Sequence, residues 1–188
     1  MWSPRPRLNA GRVTRIALTL AIAGLVTGCF QPLYASRTVT GGPGVAERLK
    51  SVDVAHINVP NATAAARVAT ELRNALIFDL AGGGETAPPT HRLQIQLALL
   101  RQQVIVDITT SRPDVEQSGI TATYTLTEIA TGRPVVTGQA FSRVSFDNPG
   151  QEQRFARARG QRDAESRAAK VISESIRSRL ASYFIAGT

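Results

Sequence analysis

From Ala164 to Phe184 the chain sets a small or apolar residue at every fourth position: Ala164, Ala168, Ile172, Ile176, Leu180 and Phe184. That spacing is close to the helical period, so all six side chains fall on one stripe. Val171 and Tyr183 run alongside, while Arg, Gln, Glu and Ser fill the other faces. The pattern predicts one long helix from about Glu152 to Phe184. A helix with a single apolar stripe has one face to bury, and it must lie on a second layer. Gly160, inside it, costs about 1 kcal/mol relative to Ala and marks a place for a kink or a frayed first turn.

Strands supply the second layer. Val52 to Val59 reads as a short strand stopped by Pro60, and Asn61 as the N-cap of a helix from Ala62 to Leu80. Val68, Leu72, Leu76 and Leu80 form its stripe, with Ala65 and Ala69 beside them. Gly82–Gly84 ends the helix, and Pro88-Pro89 keeps the loop from continuing it. Leu93, Ile95, Leu97 and Leu99 then alternate with mostly polar residues, whereas further on the apolar set is Val104, Val106 and Ile108. The change of parity predicts a bulge or break near Leu100 to Gln103. Ser111-Arg112-Pro113-Asp114 reads as a turn. Ile120, Ala122, Tyr124 and Leu126 alternate with Thr121, Thr123, Thr125 and Thr127, as in an antiparallel strand with one buried face. Thr131–Pro134 turns the chain into a fourth strand, Val135 to Phe146, which Asn148-Pro149-Gly150 breaks. The order β-α-β-β-β-α predicts an α+β, two-layer sandwich: a four-stranded mixed sheet with two helices on one face.

The first thirty residues read as an address. Arg5, Arg7, Arg12 and Arg15 form a basic region without acids, followed by the apolar run Ile16 to Val26. That run is short for a membrane span, which needs about 20 residues, and fits a secretory leader. It ends in Leu25-Val26-Thr27-Gly28-Cys29, whose cysteine is the only one in the chain. An apolar residue, small residues and a cysteine resemble the lipobox of bacterial lipoproteins. The expectation is a signal peptide over 1–28 and a lipid, such as palmitate, on Cys29, with acyl chains contributing about 0.8 kcal/mol per buried CH₂ to anchoring. Phe30 follows the cysteine where Asp would favour inner-membrane retention, so the outer membrane is expected. Residues 29–51, with Pro32 and the Gly41-Gly42-Pro43-Gly44 run, read as a lipidated flexible tether. The folded domain is then 52–188.

The lone cysteine rules out an intramolecular disulfide and a four-cysteine zinc site. His56 and His91, the only histidines, have no neighbouring carboxylate at metal-ligand or triad spacing. The Gly82–Gly84 run follows a helix instead of opening one, so it lacks the helix N-terminus that holds a phosphate. No catalytic constellation emerges, and neither an enzyme nor a cofactor is expected.

The arginines carry the functional signal. The formal net charge is +8, and the four arginines of the leader account for half of it. Assuming a right-handed crossover between the first two strands, Arg112 and the run Arg143, Arg154, Arg157, Arg159 and Arg162 gather at one end of the sheet. Both helix N-termini are expected there as well. Arg112, Arg143, Arg154 and Arg157 are the candidate anion site, because guanidinium groups bind phosphate bidentately. Arg133 lies at the opposite end. A solvated basic helix face, or docking on an acidic protein, explains the same residues. Nucleic acid is not expected, since aromatic residues to stack bases are few.

The segments Gly28-Cys29-Phe30-Gln31-Pro32-Leu33-Tyr34 and Phe146-Asp147-Asn148-Pro149, with the closing stretch Asp163–Phe184, resemble the lipopolysaccharide-assembly lipoprotein family LptE, in particular its alphaproteobacterial members. The likeness spans essentially the whole mature chain, with one departure: Arg159-Gly160-Gln161-Arg162, where acids are more usual. The resemblance implies a lipid-anchored, periplasm-facing outer-membrane subunit of the lipopolysaccharide translocon. Such a subunit plugs and helps assemble an LptD-like β-barrel and contacts lipopolysaccharide. The competing expectation is an accessory lipoprotein of a periplasmic or ABC transport system, or a solitary periplasmic binding lipoprotein.

Overall fold

A computed structural model describes residues 43–107, 112–147 and 154–186. The elements are α1 (Val45–Lys50), β1 (Val52–Val54), α2 (Ala64–Ala81), β2 (His91–Asp107), β3 (Arg112–Glu128), β4 (Pro134–Asp147) and α3 (Arg154–Ala186). The leader, the lipobox with Cys29, residues 30–42 of the tether and the Asn148–Gly150 break lie outside the described residues.

The four strands form one mixed sheet in the order β1-β2-β3-β4. β1 is parallel to β2, and the remaining pairs are antiparallel. α2 and α3 pack on each other and on the sheet, giving the α+β architecture that the element order predicts. Leu72 and Leu76 of α2, Ile172, Ile176 and Leu180 of α3, and Leu93, Ile120 and Leu126 of the sheet close the core. Burying each such side chain is worth about 1.5–3 kcal/mol relative to leaving it in water. Val171 departs from the expectation: it is half exposed, one position off the stripe.

Several boundaries move for identifiable reasons. β1 ends at Val54, and one further ladder bond runs from Ala55 N–H to Leu93 O at 3.0 Å before Ile57 turns into the core. The helix cap is Thr63 instead of Asn61. Its Oγ1 accepts from Ala66 N–H at 3.2 Å, while Ala62 takes a positive φ of 60° just before it. Gly82, at φ +64°, supplies the left-handed C-cap expected there. The register shifts fall between Gln103 and Val106, slightly beyond the expected break. Arg112 and Pro113 belong to β3, opposite Asp107 and Val106, and not to a turn. The expected tether contains α1, whose Leu49 is fully buried, so ordered structure begins before Val52.

α2 and α3 run in the same direction. Near the start of α2, Arg67 meets Glu165, and toward its end Asp79 accepts from Ser173 Oγ at 2.6 Å. The 18-residue α2 is much shorter than the 33-residue α3. Arg67, three residues into α2, therefore lies about 16 Å down α3 from Arg154, and the start of α2 about 12 Å down, at 1.5 Å per residue. The two helix N-termini do not share an end, contrary to the expectation, because α2 spans only part of the length of β2.

Candidate functional site

β2 and β3 meet at Asp107 and Arg112, and β4 runs to Asp147 opposite Val115. α3 begins at Arg154, so Arg112 and Arg154 belong to the same end of the sheet by backbone position. Arg157 lies one turn further along α3. It donates from Nη2 to Glu116 Oε1 at 2.5 Å, and Glu116 is a buried carboxylate on the helix-covered side of β3. This contact ties α3 to the sheet and occupies an arginine that the sequence reading assigned to a ligand.

Arg143 lies elsewhere. Val136, Ala140, Ser142 and Phe146 of β4 are buried, so the odd-numbered positions point away from the helices. Arg143 is exposed on that open face, its guanidinium 5.2 Å from the centre of the Phe141 ring. The four candidate arginines are therefore not one cluster: Arg112, Arg154 and Arg157 share an end, and Arg143 sits on the other side of the sheet. Arg133 lies at the opposite end, in the β3–β4 turn, where its carbonyl accepts from Glu128 N–H at 3.0 Å.

The first turns of α3 hold Arg159 and Arg162, which the sequence places at this end but outside the four candidates, and Phe155, which it does not single out. Phe155 is 88% exposed. Arg159 and Arg162 follow it at helical spacing on the same outward stripe, and neither forms an ion pair among the described residues. An apolar ring beside two free guanidiniums can meet an amphiphile with an anionic head. Deeper in, Glu165 is only 4% exposed. Arg67 at 3.1 Å, Arg101 at 3.6 Å and Gln161 at 2.6 Å surround its carboxylate. This cluster joins α2, β2 and α3, and its charges are satisfied internally.

The other end of the domain holds an open groove of about 830 Å³, lined by Pro43, Arg48, His91, Glu128, Tyr183 and Phe184 among others. The His91 ring stands edge-on to Phe184 at 5.2 Å, and its Nδ1 is 2.8 Å from Thr90 Oγ1. Burial holds the His91 imidazole below the usual histidine range; Glu128 pulls it upward, and Arg48 adds to the lowering. Arg48 also donates to Phe184 O at 3.1 Å, fixing the end of α3. His56 lies past the end of β1 and is exposed. Among the described residues, no group of three or more His, Cys, Asp or Glu could hold a metal ion.

The model of the LptE lipopolysaccharide-assembly family matches residues 49–180, well over half of the chain. The chain belongs to the LptE family. It is thus a lipopolysaccharide-assembly lipoprotein by family, and the match begins within α1. Solved LptE-like folds agree. A candidate lipoprotein from Caulobacter crescentus CB15 is 20% identical with a TM-score of 0.58, covering 77% of this chain and 97% of its own. An uncharacterized lipoprotein B from Nitrosomonas europaea is 11% identical with a TM-score of 0.51, covering 73% and 89% respectively. At such identities they support the fold. No curated protein matches the chain.

Proposed function

We propose that this LptE-family protein is a non-enzymatic subunit of the lipopolysaccharide translocon. Residues 1–28 are removed, Cys29 carries the lipid, and the domain faces the periplasm from the outer membrane. There it fills, and helps assemble, the β-barrel that inserts lipopolysaccharide. The family match over residues 49–180 is the observation that carries this reading. The physics supports it: a wide barrel has a lumen large enough to hold a plug, and a lipid anchor keeps the domain beside its partner at high effective concentration.

The arginine end is the proposed contact with lipopolysaccharide. Arg159 and Arg162 offer guanidinium groups for its phosphates, exposed Phe155 precedes them on the same stripe of α3, and Arg112 and Arg154 belong to this end by backbone position. Arg157 holds Glu116, and Arg143 lies on the other face of the sheet, so both act outside this contact. The test is binding of purified lipopolysaccharide by the detergent-solubilised full chain. The double variant Arg159→Glu/Arg162→Glu should weaken binding at least tenfold, and added salt should weaken binding of the unaltered chain. Arg133→Glu, at the far end, should bind as before. Equal loss in Arg133→Glu, or none in the double variant, would move the ligand away from this end.

A further inference from the structure

The groove beside His91 lies where the chain enters the domain. Pro43, the first described residue, lines it. Gly44 is buried and extended, at φ −71° and ψ 170°, and its carbonyl accepts from Glu47 and Arg48 N–H at 3.1 Å as α1 begins. The residues just before Pro43 are therefore tied to the groove by a short covalent link. A chain spans at most about 3.6 Å per residue, which keeps Val39 within about 14 Å of Pro43 and Arg37 within about 22 Å.

The groove has an apolar wall of Pro88, Tyr183, Phe184 and Ile185, and Ile185 is 55% exposed. Glu47, Arg48, His91 and Glu128 supply its charged and basic groups. Arg48 is taken up by Phe184 O, and burial keeps His91 neutral at pH 7.5. Glu47 and Glu128 form no ion pair among the described residues. The lining thus joins an aromatic and aliphatic wall to two carboxylates without a salt-bridge partner. The sequence before Pro43 is Arg37-Thr38-Val39-Thr40-Gly41-Gly42, with one cation, no acid and a β-branched run that favours extended backbone. In an extended segment Arg37 and Val39, two positions apart, share a side.

We infer that Arg37–Gly42 lies back in this groove, with Val39 against Tyr183 and Ile185 at the end of α3 and Arg37 beside the carboxylates of Glu47 and Glu128. Two arguments select this occupant. It brings the cation that the groove lacks, and its short link to Pro43 gives an effective concentration on the order of millimolar. A second copy offers the same segment only at its free concentration. Docking also sets the reach of the anchor. The free link from Cys29 shrinks from about 48 Å, up to Pro43, to about 28 Å, up to Arg37, which holds the domain closer to the membrane. That consequence rests on the lipid at Cys29; the docking does not.

The test uses the full chain purified in detergent. Trypsin should cut the Arg37–Thr38 bond at least ten times more slowly in the unaltered chain than in the double variant Glu47→Gln/Glu128→Gln, whose melting temperature should stay within 3 °C. Independently of that variant's stability, Val39→Cys paired with Ile185→Cys should form an intramolecular disulfide under mild oxidant. Its yield should be at least five times that of Val39→Cys paired with Ser175→Cys, an exposed position ten residues earlier on α3. Peptide mass spectrometry names the joined cysteines, so the result holds whether or not Cys29 carries a lipid. Equal cleavage rates, equal disulfide yields or a disulfide joining two copies overturns the inference and leaves the translocon reading standing. A Cys29 without lipid removes only the membrane consequence.

Discussion

Replacing Ile176 by alanine tests the two-layer packing where it is tightest. Ile176 is fully buried in the middle of the α3 stripe, within the same core as Leu72, Leu76 and Ile120. The substitution removes three carbon atoms, each worth about 0.8 kcal/mol of transfer. A cavity contribution adds to this, because the neighbours relax only partly, and such changes cost about 2–5 kcal/mol. We expect about 3–4 kcal/mol. At roughly 3 °C per kcal/mol for a domain of this size, the melting temperature should fall by about 10 °C. The contrast is Val171→Ala. Val171 is five positions away on the same helix but 50% exposed, so its truncation should change stability by less than about 0.5 kcal/mol. Thermal and urea unfolding of the two variants give the answer. Ile176→Asp, which buries an unpaired carboxylate, should unfold the domain outright. Equal shifts for Ile176→Ala and Val171→Ala would mean that the stripe is not the face docked on the sheet.

Other outcomes follow from single contacts. Gly138→Ala should destabilise by about 1–3 kcal/mol, because the new Cβ would sit 2.6 Å from the Tyr124 hydroxyl; a urea midpoint checks this. Glu165→Ala should cost about 1–2 kcal/mol by releasing Arg67, Arg101 and Gln161 from one carboxylate, and Glu165→Gln should recover part of it. His91 has a lowered pKa in the fold, so below the ordinary value of about 6.5 the unfolded chain binds more protons than the native state. Stability from neutral His91 is therefore complete above that pH and declines as pH falls through it. The drop in urea midpoint between pH 7.5 and 5.5 should shrink in His91→Gln. Cys29→Ala should leave unprocessed precursor without an acyl label, as mass spectrometry would show.

The element order was legible because each buried face kept its period. Leu93–Leu99 and Ile120–Leu126 alternate, the stripe of α3 repeats every four residues, and Gly82 marks the end of α2. The end of β1 was not, since Ile57 is apolar and buried yet lies outside any strand. Nor was α1, a short helix beside glycine and proline whose one fully buried residue is Leu49. Thr63 and Asn61 are both competent caps, and the residue types alone do not say that Thr63 takes the role, with Ala62 at positive φ just before it. Grouping the arginines by sequence rests on which end of a strand each residue occupies. The parity of β4 carried the missing information: its buried residues are even-numbered, so Arg143 must face away from α3. The same parity puts Glu116 on the helix side of β3 with Ile120 and Ala122, where Arg157 meets it. The groove around His91 joins residues from both ends of the sequence, and only the packing of the end of α3 beside β2 brings them together.

If this lipoprotein acts in delivering lipopolysaccharide to the cell surface, its loss must stop that delivery. The most direct measurement is the appearance of newly made, isotopically labelled lipopolysaccharide at the surface of cells depleted of the protein. Labelled lipopolysaccharide should accumulate in the inner-membrane fraction, and surface delivery should return when the unaltered chain is re-expressed. Undiminished surface delivery in fully depleted cells would contradict that role.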